Sequence, residues 1–237
     1  MSIIIKNDEY NIIKDERNQN LFTIDFQSYS ESIIKSLIKT KIIVGATISS
    51  NYKTIRLKAS SIQSLKQFQE EQKMKNGETK LRIPIAFTLL ANLASQLKYL
   101  ITEHLHCFIG YSPENVIVID GNKFAYLSNE HISHIHGENI QMTFPFYMHD
   151  FFLSPEQNKI TEIPSYLHYK TSYYSLACLV IYSLANDDYF LYDENRKTMH
   201  ERFTEQLENL SIRETKLYWL LKKSLVEVPK ERLFLFI

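Results

Sequence analysis

The chain has 237 residues, with 27 basic side chains balancing 27 acidic ones, and only 5 glycines. Zero net charge excludes the whole-domain electrostatic footprint that nucleic-acid binding requires. The glycines are Gly45, Gly77, Gly110, Gly121 and Gly137, and the nearest two, Gly110 and Gly121, are 121 − 110 = 11 positions apart. That spacing excludes every glycine-rich phosphate-binding turn, since each needs several glycines within about six residues. Hydrophobic residues at 44% and charged residues at 23% are ordinary for a folded chain.

The first third reads as short strands around one helix. Ser2 to Lys6, Asn11 to Lys14 and Leu21 to Phe26 are apolar segments broken by polar clusters. Ser30 opens a helix as its N-cap, with Ile33, Ile34, Leu37 and Ile38 as the apolar stripe. Strands follow over Lys41 to Ser49 and Lys53 to Ala59, separated by Ser50-Asn51. Lys66 to Lys80 is polar and contains Gly77; it reads either as an exposed helix with a loop or as a linker.

From Pro84 the pattern becomes helical, with Leu89, Leu93, Leu97, Leu100 and Ile101 at helical spacing through His104. Val116 to Leu127 holds two apolar runs flanking Asp120-Gly121, the strongest short-range hairpin signal. A long irregular segment with Pro145, Pro155 and Pro164 is expected next, then helices over Ser172 to Leu184 and Arg213 to Val226. The plan is α+β and two-lobed: residues 1–65, a hinge or linker over 66–82, and residues 83–237. Cys107 and Cys178 lie in apolar surroundings and read as buried reduced thiols. Three isoleucines before Lys6 are too few for a signal peptide, and the apolar stretch Leu176 to Leu184 is about half a membrane span. A soluble, intracellular protein without a membrane partner is expected.

This order, with four motif remnants, resembles the eukaryotic-type protein kinase fold, with a reduced, sheet-containing N-lobe and a mainly helical C-lobe. Phe108-Ile-Gly-Tyr-Ser-Pro-Glu-Asn115 stands where kinases carry H-R-D-L-K-P-E-N, and a hairpin follows at once. Phe151 to Glu156 looks like the A-P-E motif, Tyr169 to Ala177 like the D-x-W-S-L-G start of the large buried helix, and Leu225 to Arg232 like the L-x-x-D-P-x-x-R close. Glu31 fits the family's αC glutamate, and Glu156 with Arg232 fits a buried ion pair. Compact, degraded kinase-like proteins of this kind look similar to ones encoded by large DNA viruses.

The departures fall on the chemistry. Phosphoryl transfer needs one carboxylate to orient the attacking hydroxyl and another to hold metal ions against the phosphates. Gly110 occupies the catalytic-loop aspartate position and Ser128 the D-F-G aspartate position, while Asn115, the other metal ligand, is retained. The αF aspartate reads as Ser172. The phosphate-pairing lysine is Lys14 by distance to Glu31, or is replaced by Asp25 if Phe22-Thr-Ile-Asp25 matches V-A-I-K; the local pattern leans slightly to Asp25. What the resemblance implies is a catalytically inactive pseudokinase that binds a protein partner, with ATP and Mg²⁺ doubtful. The alternative is an unorthodox active kinase that uses Glu130, Asp120 or Asp150 as a displaced carboxylate.

Two other readings are weaker. His131-Ile-Ser-His134-Ile-His136 and His104-Leu-His106 lack the fixed set of three or four ligands a zinc site needs, and alternating histidines of this kind usually face solvent. Phe144-Pro-Phe-Tyr147 and Phe151-Phe152 could dock a partner, although packing under neighbouring chain is the commoner fate of such aromatics. No Gly-x-Ser-x-Gly elbow exists for a hydrolase.

Overall fold

A computed structural model describes residues 2–77, 80–143, 152–185 and 198–233. Its first part is a 5-stranded antiparallel sheet built from β1 (Ser2–Lys6), β2 (Tyr10–Lys14), β3 (Leu21–Phe26), β4 (Thr47–Ile48) and β5 (Thr54–Lys58), in the order β1-β2-β3-β5-β4. Alternation along β3 turns Phe22, Ile24 and Phe26 into the core, leaving Leu21, Thr23 and Asp25 half-buried on the other face. Helix α1 (Glu31–Lys39) lies between β3 and β4 in the chain, and its buried Ile33, Ile34 and Leu37 join the same core. Ser30 is the N-cap residue, but its hydroxyl donates to the Ser28 carbonyl instead of accepting from the helix amides. The strand expected over Lys41 to Ser49 shrinks to Thr47–Ile48, because Lys41 (φ 60) and Gly45 (φ 66) take left-handed backbone that breaks an extended run.

A second, 3-stranded sheet stands between two apolar cores: β6 (Ile62–Ser64), β8 (Val116–Ile119) and β9 (Lys123–Tyr126). Asp120 (φ 53) and Gly121 (φ 70) are the central residues of the hairpin turn, which the Asn122 amide closes on the Ile119 carbonyl (3.2 Å) and whose positive φ angles suit Asp-Gly. Ile117, Ile119, Ala125 and Leu127 face the core under the first sheet, whereas Val116, Val118, Phe124 and Tyr126 face the other. Burial on both faces explains why β8 reads as an unbroken Val-Ile-Val-Ile run instead of alternating.

The larger core is mostly helical. The tract from Lys66 is helix α2 (Leu65–Asn76): Ser64 and Gln67 form a reciprocal capping box, and Gly77 (φ 79) ends it in the left-handed conformation. Its Phe68 meets Phe124 edge-on at 6.2 Å. α3 (Ile83–His104) is long and apolar enough to cross a bilayer by length and composition. Here it packs against the hairpin, and buried Gln96 donates to the Tyr126 carbonyl (2.9 Å) and accepts from the Tyr126 amide (3.0 Å). α4 (Thr171–Leu184) is buried on nearly every side, and α5 (Met199–Asn209) and α6 (Lys216–Ser224) pack on it. The last helix is shorter than the expected Arg213 to Val226 because Thr215 caps it. The segment read as irregular carries β10 (Ile132–His136), β11 (Asn139–Met142) and β12 (Ser165–His168), which join β7 (His106–Phe108) in a 4-stranded sheet ordered β12-β11-β10-β7. These strands are too short and polar to stand out from their surroundings. The architecture is α+β, with sheet dominating first and helices later.

Candidate functional site

Residues 108–112, which link β7 to the short 3-10 turn Pro113–Asn115, form no open catalytic loop. Phe108, Ile109 and Tyr111 are each 0% exposed, and Gly110 is buried between them. Phe108, Tyr111 and Tyr126 close into an aromatic triangle with ring centroids 4.7–5.4 Å apart. The Tyr126 hydroxyl accepts from the Ser112 amide (3.0 Å) and bonds His131 Nδ1 (2.6 Å). His131 is therefore a buried partner of Tyr126 rather than a solvent-facing member of a histidine row. A carboxylate in place of buried Gly110 would enter an apolar interior at high cost.

The clamps on this loop were not visible as motifs. Ser175 on α4 accepts from the Tyr111 amide (2.7 Å), Gln157 donates to the Ile109 carbonyl (2.8 Å), and the Ile109 amide donates to the His131 carbonyl (2.7 Å). Ser172, which the resemblance sets at the αF aspartate position, instead turns its hydroxyl back to the Tyr169 carbonyl (2.8 Å). The bracing role thus sits one helical turn further on, at Ser175.

After β9 the chain turns through Ser128, Asn129 and Glu130, and a carboxylate reaches it from the turn between β1 and β2. Glu9 Oε1 accepts from the Ser128 hydroxyl (2.7 Å), and Oε2 accepts from the backbone N–H of Asn129 (2.6 Å) and of Glu130 (3.0 Å). Ser128 Oγ also accepts from the His131 amide (3.2 Å), which fixes its lone pairs and aims its proton at Glu9. The β1–β2 turn is itself ordered, because Asn7 Oδ1 accepts from the Glu9 and Tyr10 amides (3.0 and 2.8 Å). From the same turn Asn7 Nδ2 donates to Asn115 Oδ1 (3.4 Å). The Asn129 side chain donates to Ser28 and Ser30 at the head of α1. Burial raises the Glu9 carboxyl above its usual range, helped by the Glu130 charge and opposed by the three donors. Glu9 escapes sequence reading because it belongs to no pattern; only its place in the turn where a glycine loop would stand could have singled it out.

Lys14 and Glu31 are not brought together. Lys14 ends β2 with its Nζ 5.7 Å from the Phe22 ring centroid. Glu31, on the outer side of α1, accepts from the Tyr29 hydroxyl and pairs with Lys35 (2.5 Å), which holds its carboxyl below the usual range. Asp25 lies on β3 and accepts from Thr54 Oγ1 (3.0 Å), on the face away from the core. The core-facing position at that level is Phe26, so Asp25 puts no cation there, and Lys14 instead lines a cavity with Ile4, Phe22 and Ser60 to Gln63, away from Glu31. Asp120 does not approach Asn115: it accepts from the Ser60 amide (2.6 Å) and hydroxyl (2.7 Å). Glu130 is exposed, and Asp150 lies outside the described residues.

Glu156 and Arg232 are paired. Arg232, 0% exposed, donates through both terminal nitrogens to both Glu156 oxygens at 2.6 Å. Its remaining donors reach the Val226, Lys170 and Glu227 carbonyls (2.7, 3.3 and 3.0 Å), and its guanidinium lies 5.0 Å from the Tyr174 ring centroid.

His104, His106, His134 and His136 form a row with successive ring centroids 6.2, 5.3 and 4.5 Å apart. Among the described residues no group of three or more His, Cys, Asp or Glu could hold a metal ion. Phe152 packs on Tyr182 (5.5 Å) and Phe203 (5.2 Å) instead of lining a docking surface. Phe144 to Tyr147 and Phe151 lie outside the described residues. No family model and no curated protein matches the chain.

Proposed function

We propose that the chain is a kinase-like module without kinase chemistry, which acts by binding a protein partner. The observation that carries this reading is the Glu9 contact. The turn between the first two strands, which in kinases covers the nucleotide phosphates, here delivers a carboxylate to the segment where the metal-binding aspartate would stand. An anion so held repels phosphate, and among the described residues no cation pairs with it.

Three further observations support the reading. The sheet order β1-β2-β3-β5-β4, with one helix between β3 and β4, is compatible with a kinase-like small lobe. Gly110 sits in a loop sealed by aromatic rings, with no room for a reacting hydroxyl. The Ile117, Ile119 and Leu127 side chains join the core beneath the first sheet, so the hairpin packs under that sheet as a kinase-like plan would have it. What survives is framework: the Glu156–Arg232 pair and the buried α4. An intracellular setting fits two buried thiols that are both free.

A thermal-shift titration with ATP, alone and with Mg²⁺ or Mn²⁺, tests this. A ligand that binds only the folded state raises the midpoint with concentration. The expected result is no movement at millimolar nucleotide. A metal-dependent shift, or ATP turnover abolished by Asn115→Ala, would sink the reading.

A further inference from the structure

The turn at residues 128–130 has the form of a filled receptor. Two consecutive backbone N–H groups and one hydroxyl converge on a single carboxylate that comes from a position 119 to 121 residues earlier in the chain. Ser128 Oγ is held in its donor role by the His131 amide. Backbone amides pointing at one spot are a common device for holding anions in proteins. We infer that this cradle is a carboxylate-binding site and that Glu9 is its built-in occupant, latching the β1–β2 turn over the Asn115 side of the molecule. The inference does not depend on any likeness to kinases, because it rests on the donors alone.

The donor set also selects among anions. All three donors are neutral, and no lysine, arginine or histidine pairs with Glu9 among the described residues. The Glu130 carboxylate lies close enough to oppose added negative charge. A singly charged carboxylate presents two oxygens to the two sides of the cradle, as Glu9 does. A phosphate dianion would need a cation that this place lacks. The site therefore takes a monocarboxylate, and a free one can enter only when Glu9 is gone.

Chemical rescue reads this directly. Glu9→Ala should lower the melting midpoint, and sodium acetate or formate should recover most of that loss in a saturable way. Sodium chloride at matched ionic strength should not, and neither salt should rescue wild type. Adding Ser128→Ala should abolish the recovery. Equal effects of acetate and chloride would overturn the site, and stronger rescue by inorganic phosphate would overturn its preference for a monocarboxylate. Should Glu9→Ala fail to fold, the wild-type protein carries the test. The amide proton resonances of Asn129 and Glu130 should then move together with pH in one titration that is absent in Glu9→Gln. Amides that do not respond would show that no carboxylate occupies the cradle. The ATP titration decides the kinase-like reading, and these experiments decide the latch.

Discussion

Two carboxylates tie distant parts of this chain together, and they do so in opposite ways. Glu156 meets a cation: Arg232 is fully buried, binds both carboxylate oxygens, and spends its other donors on three carbonyls. Among the described residues Glu9 meets only neutral donors, two amides and a hydroxyl, and burial drives its proton affinity up. An ion pair of the first kind is costly to break but leaves no donor for a ligand, because every guanidinium N–H is committed. A carboxylate of the second kind is held by groups that would accept another of its type. The difference separates a brace from a latch, and it can be tested at each end.

The largest effect is expected at the brace. Arg232→Ala strands a partly buried carboxylate and three carbonyls at once, and breaking such a pair costs about 3–5 kcal/mol. Glu156 keeps 17% of its side chain exposed, which argues for the lower end of that range. Arg232→Lys should recover little, because one ammonium cannot span both carboxylate oxygens and the carbonyls behind them. Urea unfolding of the two variants measures this; a loss for Arg232→Ala no larger than that of an exposed pair would erase the contrast between the two carboxylates.

How far the sequence revealed these sites follows from what each is made of. The brace was legible because its two members sit in recognisable strings, Ser154-Pro-Glu156 and Val228-Pro-Lys-Glu-Arg232. The hairpin was legible because Asp120-Gly121 is a local signal needing no distant partner. The helices at Pro84 and Ser172 announced themselves by apolar spacing or continuous apolarity. By contrast, β10, β11 and β12 gain their strand character from pairing with one another, and sequences such as Asn139-Ile-Gln-Met carry little intrinsic preference. The latch was illegible for a stronger reason: two of its donors are backbone amides, which every residue has, so only folding selects them. Ser175 and Gln157 likewise act through contacts formed only when α4 and the segment after Pro155 come under the loop.

The latch should show itself through pH. Glu9 binds its proton more tightly when folded than its ordinary value of 4.5 allows in the unfolded chain. The folded state therefore carries more protons between those two values, and stability attributable to this group falls as pH rises through its raised folded value. Glu9→Gln removes the titration while keeping a side chain that can accept from the two amides and donate to Ser128 Oγ. The stability of Glu9→Gln relative to wild type should rise from pH 4 towards neutrality and then level off. Carboxyls whose proton affinity is lowered, such as Glu31 and Asp120, act in the opposite direction but cancel in this difference. A difference that is flat, or that falls with pH, would mean that a cation balances Glu9, and the contrast with Glu156 would be lost.

The smallest effect is expected at a third carboxylate, Glu31. Under the proposed kinase-like reading it would stand for the glutamate that in active kinases pairs with the phosphate-binding lysine, an interaction on which catalysis depends. Here it faces outward, bonded to Tyr29 and to Lys35 one turn along the same helix, and it reaches neither Lys14 nor the cradle. Exposed pairs of this kind lose most of their Coulomb energy to water and to the entropy of holding two side chains together. Glu31→Ala should therefore leave the urea midpoint within error of wild type at moderate salt, and leave the Asn129 and Glu130 amide resonances in place. The head of α1 is held to the cradle through Ser28, Ser30 and Asn129 instead, so Ser30→Ala should disturb those resonances where Glu31→Ala does not. If Glu31→Ala moved them, α1 would be coupled to the latch through its glutamate, as in a working kinase, and the division between brace and latch would need a third member.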